Sequence, residues 1–272
     1  MGEIFNLILV HPIINILLVV YQALFFLHIP YALGFAVIIL TIIIRFAIYP
    51  LMSSQLKSSK KMQDLSPHLS KIKEKHKGDA KRLQAETMRL YKEHGVNPAA
   101  GCLPVIIQLP IIWALYSVLQ KIVGLAPKLV VSEINKIVYF DFLKLDRPWD
   151  PSFFGLPLGQ NPSHLISSVG PLILLIPVAT GFFQFIQSKM MIKKPEAQKD
   201  LVKKDAKKDG DFASAFQSQS LYIFPFMIGF FSYNFPIGLS LYWNTFTIFG
   251  IIQQYRVSGL GGLKGWVNKV HG

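Results

Sequence analysis

The stretch "AVIILTIIIRFAIYPL", residues 36–51, decides how this chain is read. It is apolar enough to lie in a membrane, yet it carries an arginine, Arg45, near its inner third. A guanidinium keeps its charge in a protein. At the centre of a membrane helix that charge costs roughly 2.5–3.5 kcal/mol on insertion scales. A sequence that holds such a charge among isoleucines has a use for it.

The composition agrees with a membrane. Of the 272 residues, 51% are hydrophobic and 16% are charged, against about 25% charged in a typical soluble domain. The mean hydropathy is +0.40. Several apolar runs approach the roughly 20 residues that cross a hydrocarbon core as a helix. The fold class is an all-α membrane protein with five transmembrane helices. The first covers 30–52 and is stopped by Pro50. The second covers 99–121, the third 164–188, the fourth 218–235 and the fifth 237–256. Pro236 and Gly238 separate the last two by a tight turn. Prolines within the spans are tolerated in lipid, where neighbouring helices satisfy the freed carbonyls.

Residues 1–29 are read as an N-terminal interfacial helix. His11, Asn15 and Gln22 fall on one helical stripe, and a polar stripe suits a helix lying in the interface; a sixth span is the other reading. The start has no Lys or Arg and no small-residue cleavage site, so it is not read as a signal peptide.

The net charge of +13 is concentrated in three segments: 53–98, 189–217 and the tail 257–272. With five spans all three lie on one side, which the positive-inside rule makes the cytosol. The N-terminus is then outside, together with the connection 122–163. Segment 53–98 reads as a basic helical hairpin, with Gly78 and Asp79 as helix stop and N-cap. Its apolar positions are sparse, which predicts a mobile element. Segment 189–217 is a charged loop poor in apolar residues.

Reaction chemistry is missing. There is no G-x-x-x-x-G-K-[ST], no H-E-x-x-H and no G-x-S-x-G. The single cysteine, Cys102, rules out an intrachain disulfide. No enzyme activity, cofactor or metal is expected. What remains is polarity inside the spans: Thr41 and Arg45, four apart on one face; Gln108; Gln184 and Gln187; and Asn244, Thr247 and Gln253 beside Trp243. Interhelical hydrogen bonding accounts for such residues at about 0.6 kcal/mol each. For Arg45 two placements compete: snorkelling to cytosolic headgroups, or a water-filled cavity open to the cytosol.

Four stretches carry a resemblance: "TIIIRFAIYPL", "SSKKMQDLSPHLSKIKEKHKGD", "LYKEHGVNPAAGCLPVIIQLPIIWALYSVL" and "NFPIGLSLYWNTFTIFGIIQQ". They closely resemble the YidC-type membrane protein insertases of the YidC/Oxa/Alb family, over about residues 12–256. The large extracytoplasmic domain of Gram-negative members and the lipoprotein cysteine of many Gram-positive ones have no counterpart here, and the C-terminal tail is short. The resemblance implies a five-helix core around a hydrophilic groove, open to cytosol and lipid and closed outside. It also implies a cytosolic hairpin after the first span and an interfacial helix before it. The groove arginine matches Arg45, its polar neighbour Thr41, the third-span glutamine Gln187 and the fifth-span aromatic Trp243. Asn244 stands next to that aromatic, and Gln108, Gln184, Thr247 and Gln253 complete the candidate set. The implied partners are the lipid bilayer and nascent membrane proteins with short, often acidic translocated tails. The ribosome, the signal recognition particle or its receptor, and the Sec translocon are further candidates. The implied location is the bacterial plasma membrane.

Two other classes compete. A secondary transporter or channel would use Arg45 as an anion site, but usually shows an internal repeat, and none is visible. A nucleic-acid-binding protein would use the lysines, but aromatics are sparse among them and acidic residues interleave.

Overall fold

The computed structural model describes residues 2–97, 103–123, 127–191 and 212–265. Cys102, the start of the second expected span, most of the 189–217 loop and the end of the tail lie outside these residues. The described chain is mostly helical. Helix α1 runs Glu3–Phe26 and includes a π turn at Asn6–Val10. Next come α2, Ala32–Ala47, α3, Tyr49–Asp64, α4, Ser66–Lys75, and α5, Ala80–Glu93. They are followed by α6, Leu103–Val118, α7, Pro127–Asn135, and α8, Pro162–Val169. Helices α9, Leu175–Met191, α10, Phe212–Asn234, and α11, Ile237–Ser258, complete the order. A two-stranded hairpin, Ser152–Phe153 with Leu156–Pro157, interrupts it. Its turn residues Phe154 and Gly155 both have positive φ, which suits the twist of a two-residue hairpin.

Among the described residues two helices are long and apolar enough to cross a membrane, Glu3–Phe26 and Pro171–Met191. Ala32–Ala47 with Tyr49–Asp64 passes as a bent pair, and Ile106–Val118 and Leu221–Asn234 are shorter apolar helices. Several boundaries differ from the sequence reading; α10, for one, begins at Phe212, inside the segment 189–217 that was expected to be a loop. Helix α2 lapses at Ile48, and Pro50 sits in the first turn of α3 rather than after a helix end. Proline cannot donate to the Phe46 carbonyl, so the ladder breaks there, while a first-turn position tolerates its missing N–H. The segment 164–188 is not one helix. Gly170, at φ 86°, ends α8, and Pro171 opens a 3₁₀ turn, Pro171–Leu174, ahead of α9.

The chain divides into two compact units. The first comprises Met1–Ile48, Val105–Gln184 and Pro225–Phe249. In α1, Val10, Ile13, Ile14, Leu17, Leu18, Tyr21 and Leu24 are buried, a spacing of three and four that makes one helical face. That face packs on Leu33, Ala36, Val37 and Leu40 of α2, within a core that also holds Ala114, Val118, Ile134, Leu158 and Tyr242. The polar stripe of α1 faces protein. Asn15 is buried, donates to the Ile137 carbonyl at 3.0 Å and accepts from the Tyr139 N–H at 2.7 Å. Tyr21 meets Trp149 edge-on, and the Arg147 guanidinium lies 5.1 Å from the Phe25 ring centroid. Residues 137–149 therefore form a strap fastened along α1.

Helices α9 and α10 cross through two glycines. A Cβ on Gly181 would lie 3.2 Å from the Pro225 carbonyl oxygen, and one on Gly229 would lie 3.2 Å from the Pro177 carbonyl oxygen. Small residues let membrane helices approach this closely. Gly229→Leu is expected to destabilise the fold by about 1–3 kcal/mol through overpacking. A thermal midpoint in detergent checks this, and an unchanged midpoint would mean that the crossing yields without cost.

The second unit comprises Tyr49–Pro104, Phe185–Phe224 and Gly250–Gly272. Within it, Leu65, Leu90 and Val96 form a small cluster with half-buried Met62, Leu69, Ile72 and Tyr91, joining α4 to α5. Asp79 caps α5, its Oδ1 accepting from the Arg82 N–H at 3.0 Å. The Gln254 amide donates to the Met190 carbonyl at 3.2 Å, and the Gln63 amide donates to the Met191 carbonyl, so side chains satisfy two of the terminal carbonyls of α9.

Candidate functional site

Arg45 lies in the last turn of α2, where a cation faces the negative end of the helix dipole. It is 3% exposed, so its side chain does not reach out of the fold. Its Nη2 donates to the Phe246 carbonyl oxygen. The guanidinium carbon sits 3.4 Å from the Phe246 ring centroid and 5.8 Å from that of Phe249. Phe46, the next residue on α2, packs edge-on against Phe249 at 5.2 Å. Among the described residues no carboxylate pairs with Arg45, and its Nε has no hydrogen-bond partner. A desolvated cation over an aromatic face is worth about 2 kcal/mol. That offsets only part of what burying a charge without a counter-ion costs.

Thr41, one turn earlier, is fully buried, and its hydroxyl donates to the Val37 carbonyl of its own helix at 2.6 Å. The Trp243 indole N–H donates to Gln184 Oε1 at 3.2 Å. The Gln108 amide donates to the buried Tyr242 hydroxyl at 2.7 Å. Thr247 is buried, and Asn244 carries a buried Oδ1 without a partner among the described residues. These residues all belong to the first unit. Gln187 and Gln253 belong to the second. Gln187 is half-buried. Gln253 is buried and donates to the Tyr49 carbonyl at 3.1 Å and the Ser53 hydroxyl at 3.0 Å.

The structure thus pairs Trp243 with Gln184 and leaves Arg45 to two phenylalanines. It also reveals a hydroxyl chain that the sequence reading lacked. Thr180 Oγ1 lies 3.2 Å from Ser232 Oγ, which lies 2.8 Å from Ser240 Oγ. These three line a small pocket with Phe231, Phe235 and Trp243. Tyr242 sits too deep in the fifth span for an interface-belt aromatic, and its hydroxyl shows its role only beside Gln108. Among the described residues no group of three or more His, Cys, Asp or Glu is placed to hold a metal.

The model of the 60Kd inner membrane protein family matches residues 24–260. The chain is 34% identical to the membrane protein insertase YidC 2 of Bacillus anthracis over 230 residues, 83% of this chain and 72% of that protein. It is 33% identical to the membrane protein insertase YidC of Fusobacterium nucleatum over 228 residues, 84% of this chain and 87% of that one. It is also 33% identical to the chloroplastic inner membrane protein ALBINO3 of Arabidopsis thaliana, over 87% of this chain and 49% of that protein.

Proposed function

Because the chain belongs to the 60Kd inner membrane protein family, together with the YidC membrane protein insertases, we propose that it receives hydrophobic segments of newly made membrane proteins and passes them sideways into lipid. The observation that carries the reading is Arg45, buried with no carboxylate partner among the described residues and held by a ring face and one carbonyl. Such a charge is unsaturated, and an incoming acidic group can complete it. Arg45 Nε and Asn244 Oδ1, without partners among the described residues, are two further polar atoms that a hydrated substrate tail would satisfy.

The mechanism needs no bond chemistry. A polar groove in the inner leaflet lets a short hydrophilic tail enter partway without full desolvation. Arg45 attracts acids on that tail. Thr41, Gln108, Gln184, Trp243, Asn244 and Thr247 supply the groove's other polar groups; Gln187 and Gln253 stay candidates for the substrate's path on the resemblance alone. The apolar segment then leaves, because burial in lipid is favourable at roughly 25 cal/mol per Å². Reconstitution with a small single-span substrate tests the function. Insertion without solute flux is expected, whereas flux without insertion would establish the transporter reading.

The topology belongs to the same proposal: five spans in a bacterial plasma membrane, the basic segments in the cytosol and the connection 122–163 outside. Helix α1 lies in the outer interface. Its strap carries Asp141, Lys144, Asp146 and Arg147 along the second half of the helix, and a helix with charges strapped beside it is costly to place in hydrocarbon. Cysteines at positions 75 and 205 are expected to react only with cytosolic reagent, and those at positions 2 and 150 only from outside. Cytosolic labelling at 150 would end the five-span reading, and cytosolic labelling at 2 would make α1 a span.

A further inference from the structure

The strap leaves two aromatic rings facing outward. Phe140 is 59% exposed and Phe142 is 70% exposed. Their rings stack on each other, with centroids 5.5 Å apart and planes at 17°. Their neighbours Leu143 and Leu145 point the other way and are buried. The loop cannot simply turn over to hide the rings. Asn135 closes its base, donating to the Leu145 carbonyl at 3.0 Å and accepting from the Leu145 N–H at 2.8 Å. Asn15 pins the other arm through Ile137 and Tyr139. Two phenylalanines held outward on a fixed loop, with a half-exposed tyrosine beside them, need a reason.

We propose that Phe140 and Phe142 form a wedge that seats the outer connection in the headgroup boundary of the outer leaflet. Three observations select lipid. The wedge is fastened to α1 through Asn15, and α1 itself carries exposed Ile4, Leu7, Ile8, Ile16 and Val19, apolar residues that suit a lipid-facing helix. Lys144 follows the rings and pairs with Asp141 at 2.6 Å, and rings beside cations are the composition of the membrane interface. Asp141 is fully open, with a carboxyl held below the usual range by its hydrogen bond to Lys144 and by the Lys144 charge. That keeps the turn itself out of hydrocarbon, so only the rings enter. Two stacked rings are also far smaller than the roughly 800 Å² per partner of a stable protein interface.

The inference rests on 122–163 lying outside, and cysteine labelling at position 150 tests that separately. The wedge is tested with nitroxide labels in the full chain carrying Cys102→Ala, reconstituted in phosphatidylethanolamine and phosphatidylglycerol vesicles. Phe140→Cys, Phe142→Cys and Asp146→Cys are labelled one at a time. Collision with oxygen, which partitions into lipid, is compared with collision with a water-soluble nickel chelate. Both Phe positions are expected to show an oxygen-to-nickel ratio several-fold above that at Asp146. A nickel accessibility at either Phe position equal to that at Asp146 would overturn the wedge. So would protection from both reagents, which signifies a protein contact. Both rings are exposed, so their replacement leaves the buried core unchanged, and the ratio at Asp146→Cys calibrates each preparation.

Discussion

Arg45→Ala is expected to cut insertion of a substrate with an acidic translocated tail by about tenfold or more, equivalent to about 1.4 kcal/mol, and to spare the same substrate once its acids are neutralised. The expectation follows from how Arg45 is held. Its resting contacts are the Phe246 ring and one carbonyl oxygen, with no counter-ion among the described residues. Two opposite charges 4 Å apart interact by about 1 kcal/mol in water and about 4 kcal/mol at the effective dielectric of a protein surface. A carboxylate on an entering tail therefore outcompetes the aromatic face, which offers about 2 kcal/mol. Arg45→Lys should keep much of the activity, since a point charge serves without a bidentate fork. Arg45→Glu should be worst, by repulsion. Phe246→Leu removes the resting partner but keeps the charge, so dependence on tail acids should survive it. The decisive measurement is insertion of one substrate with and without its tail acids, in wild type and Arg45→Ala, alongside the thermal midpoint of each. Equal losses for both tails would make Arg45 structural, and the electrostatic mechanism would fall.

Why Arg45 stood out in the sequence and its environment did not is a matter of distance along the chain. A charge among isoleucines is a local anomaly, visible in sixteen letters. Its partner Phe246 is 201 positions away, and a phenylalanine in an apolar run looks like every other one. The same holds for Asn15. Its stripe with His11 and Gln22 was legible as a helical face, but the groups that satisfy it lie more than 120 positions later, in the backbone of the strap. Backbone acceptors carry no residue signature, so a polar stripe met by them reads as one meant for headgroups. Helix content was legible because apolar runs and breakers are local. Boundaries were less so. Pro50 looked like a stop, but proline is equally at home in a first turn, and the sequence alone does not say on which side of the break it falls. Gly170 followed by Pro171 is a strong stop signal by the same local rules. It was overridden by the hydropathy of the surrounding run, a case of composition outweighing turn chemistry.

Removing residues 60–90 and closing the gap with a short Gly/Ser linker is expected to leave a folded protein that inserts substrates at least tenfold more slowly. Apart from the hydrogen bond of Gln63 to the Met191 carbonyl, the segment contributes little to packing. Its buried apolar residues are few, chiefly Leu65 and Leu90, and they are satisfied within the α4–α5 pair and by Val96. The core around Ile14, Leu18, Val37, Leu115 and Tyr242 belongs to the first unit and contains none of them. The thermal midpoint should fall by no more than a few degrees. The segment's contribution is charge instead. Lys71, Lys73, Lys75 and Lys77 crowd the end of α4 and the turn after it, and Lys81, Arg82 and Arg89 follow on α5. A basic, thinly packed helix pair suits capture of acidic headgroups or of an acidic or nucleic-acid-bearing partner such as a ribosome. Neutralising Lys71, Lys73, Lys75 and Lys77 to glutamine should reproduce much of the deletion's loss at low salt, with the gap to wild type narrowing as salt screens the remaining charge. Amide exchange gives an independent reading, since a pair with so little buried surface should exchange well ahead of α1 and α2. Insertion at the wild-type rate by the deleted protein would show that the pair recruits nothing, and that its lysines serve only to orient the chain in the membrane.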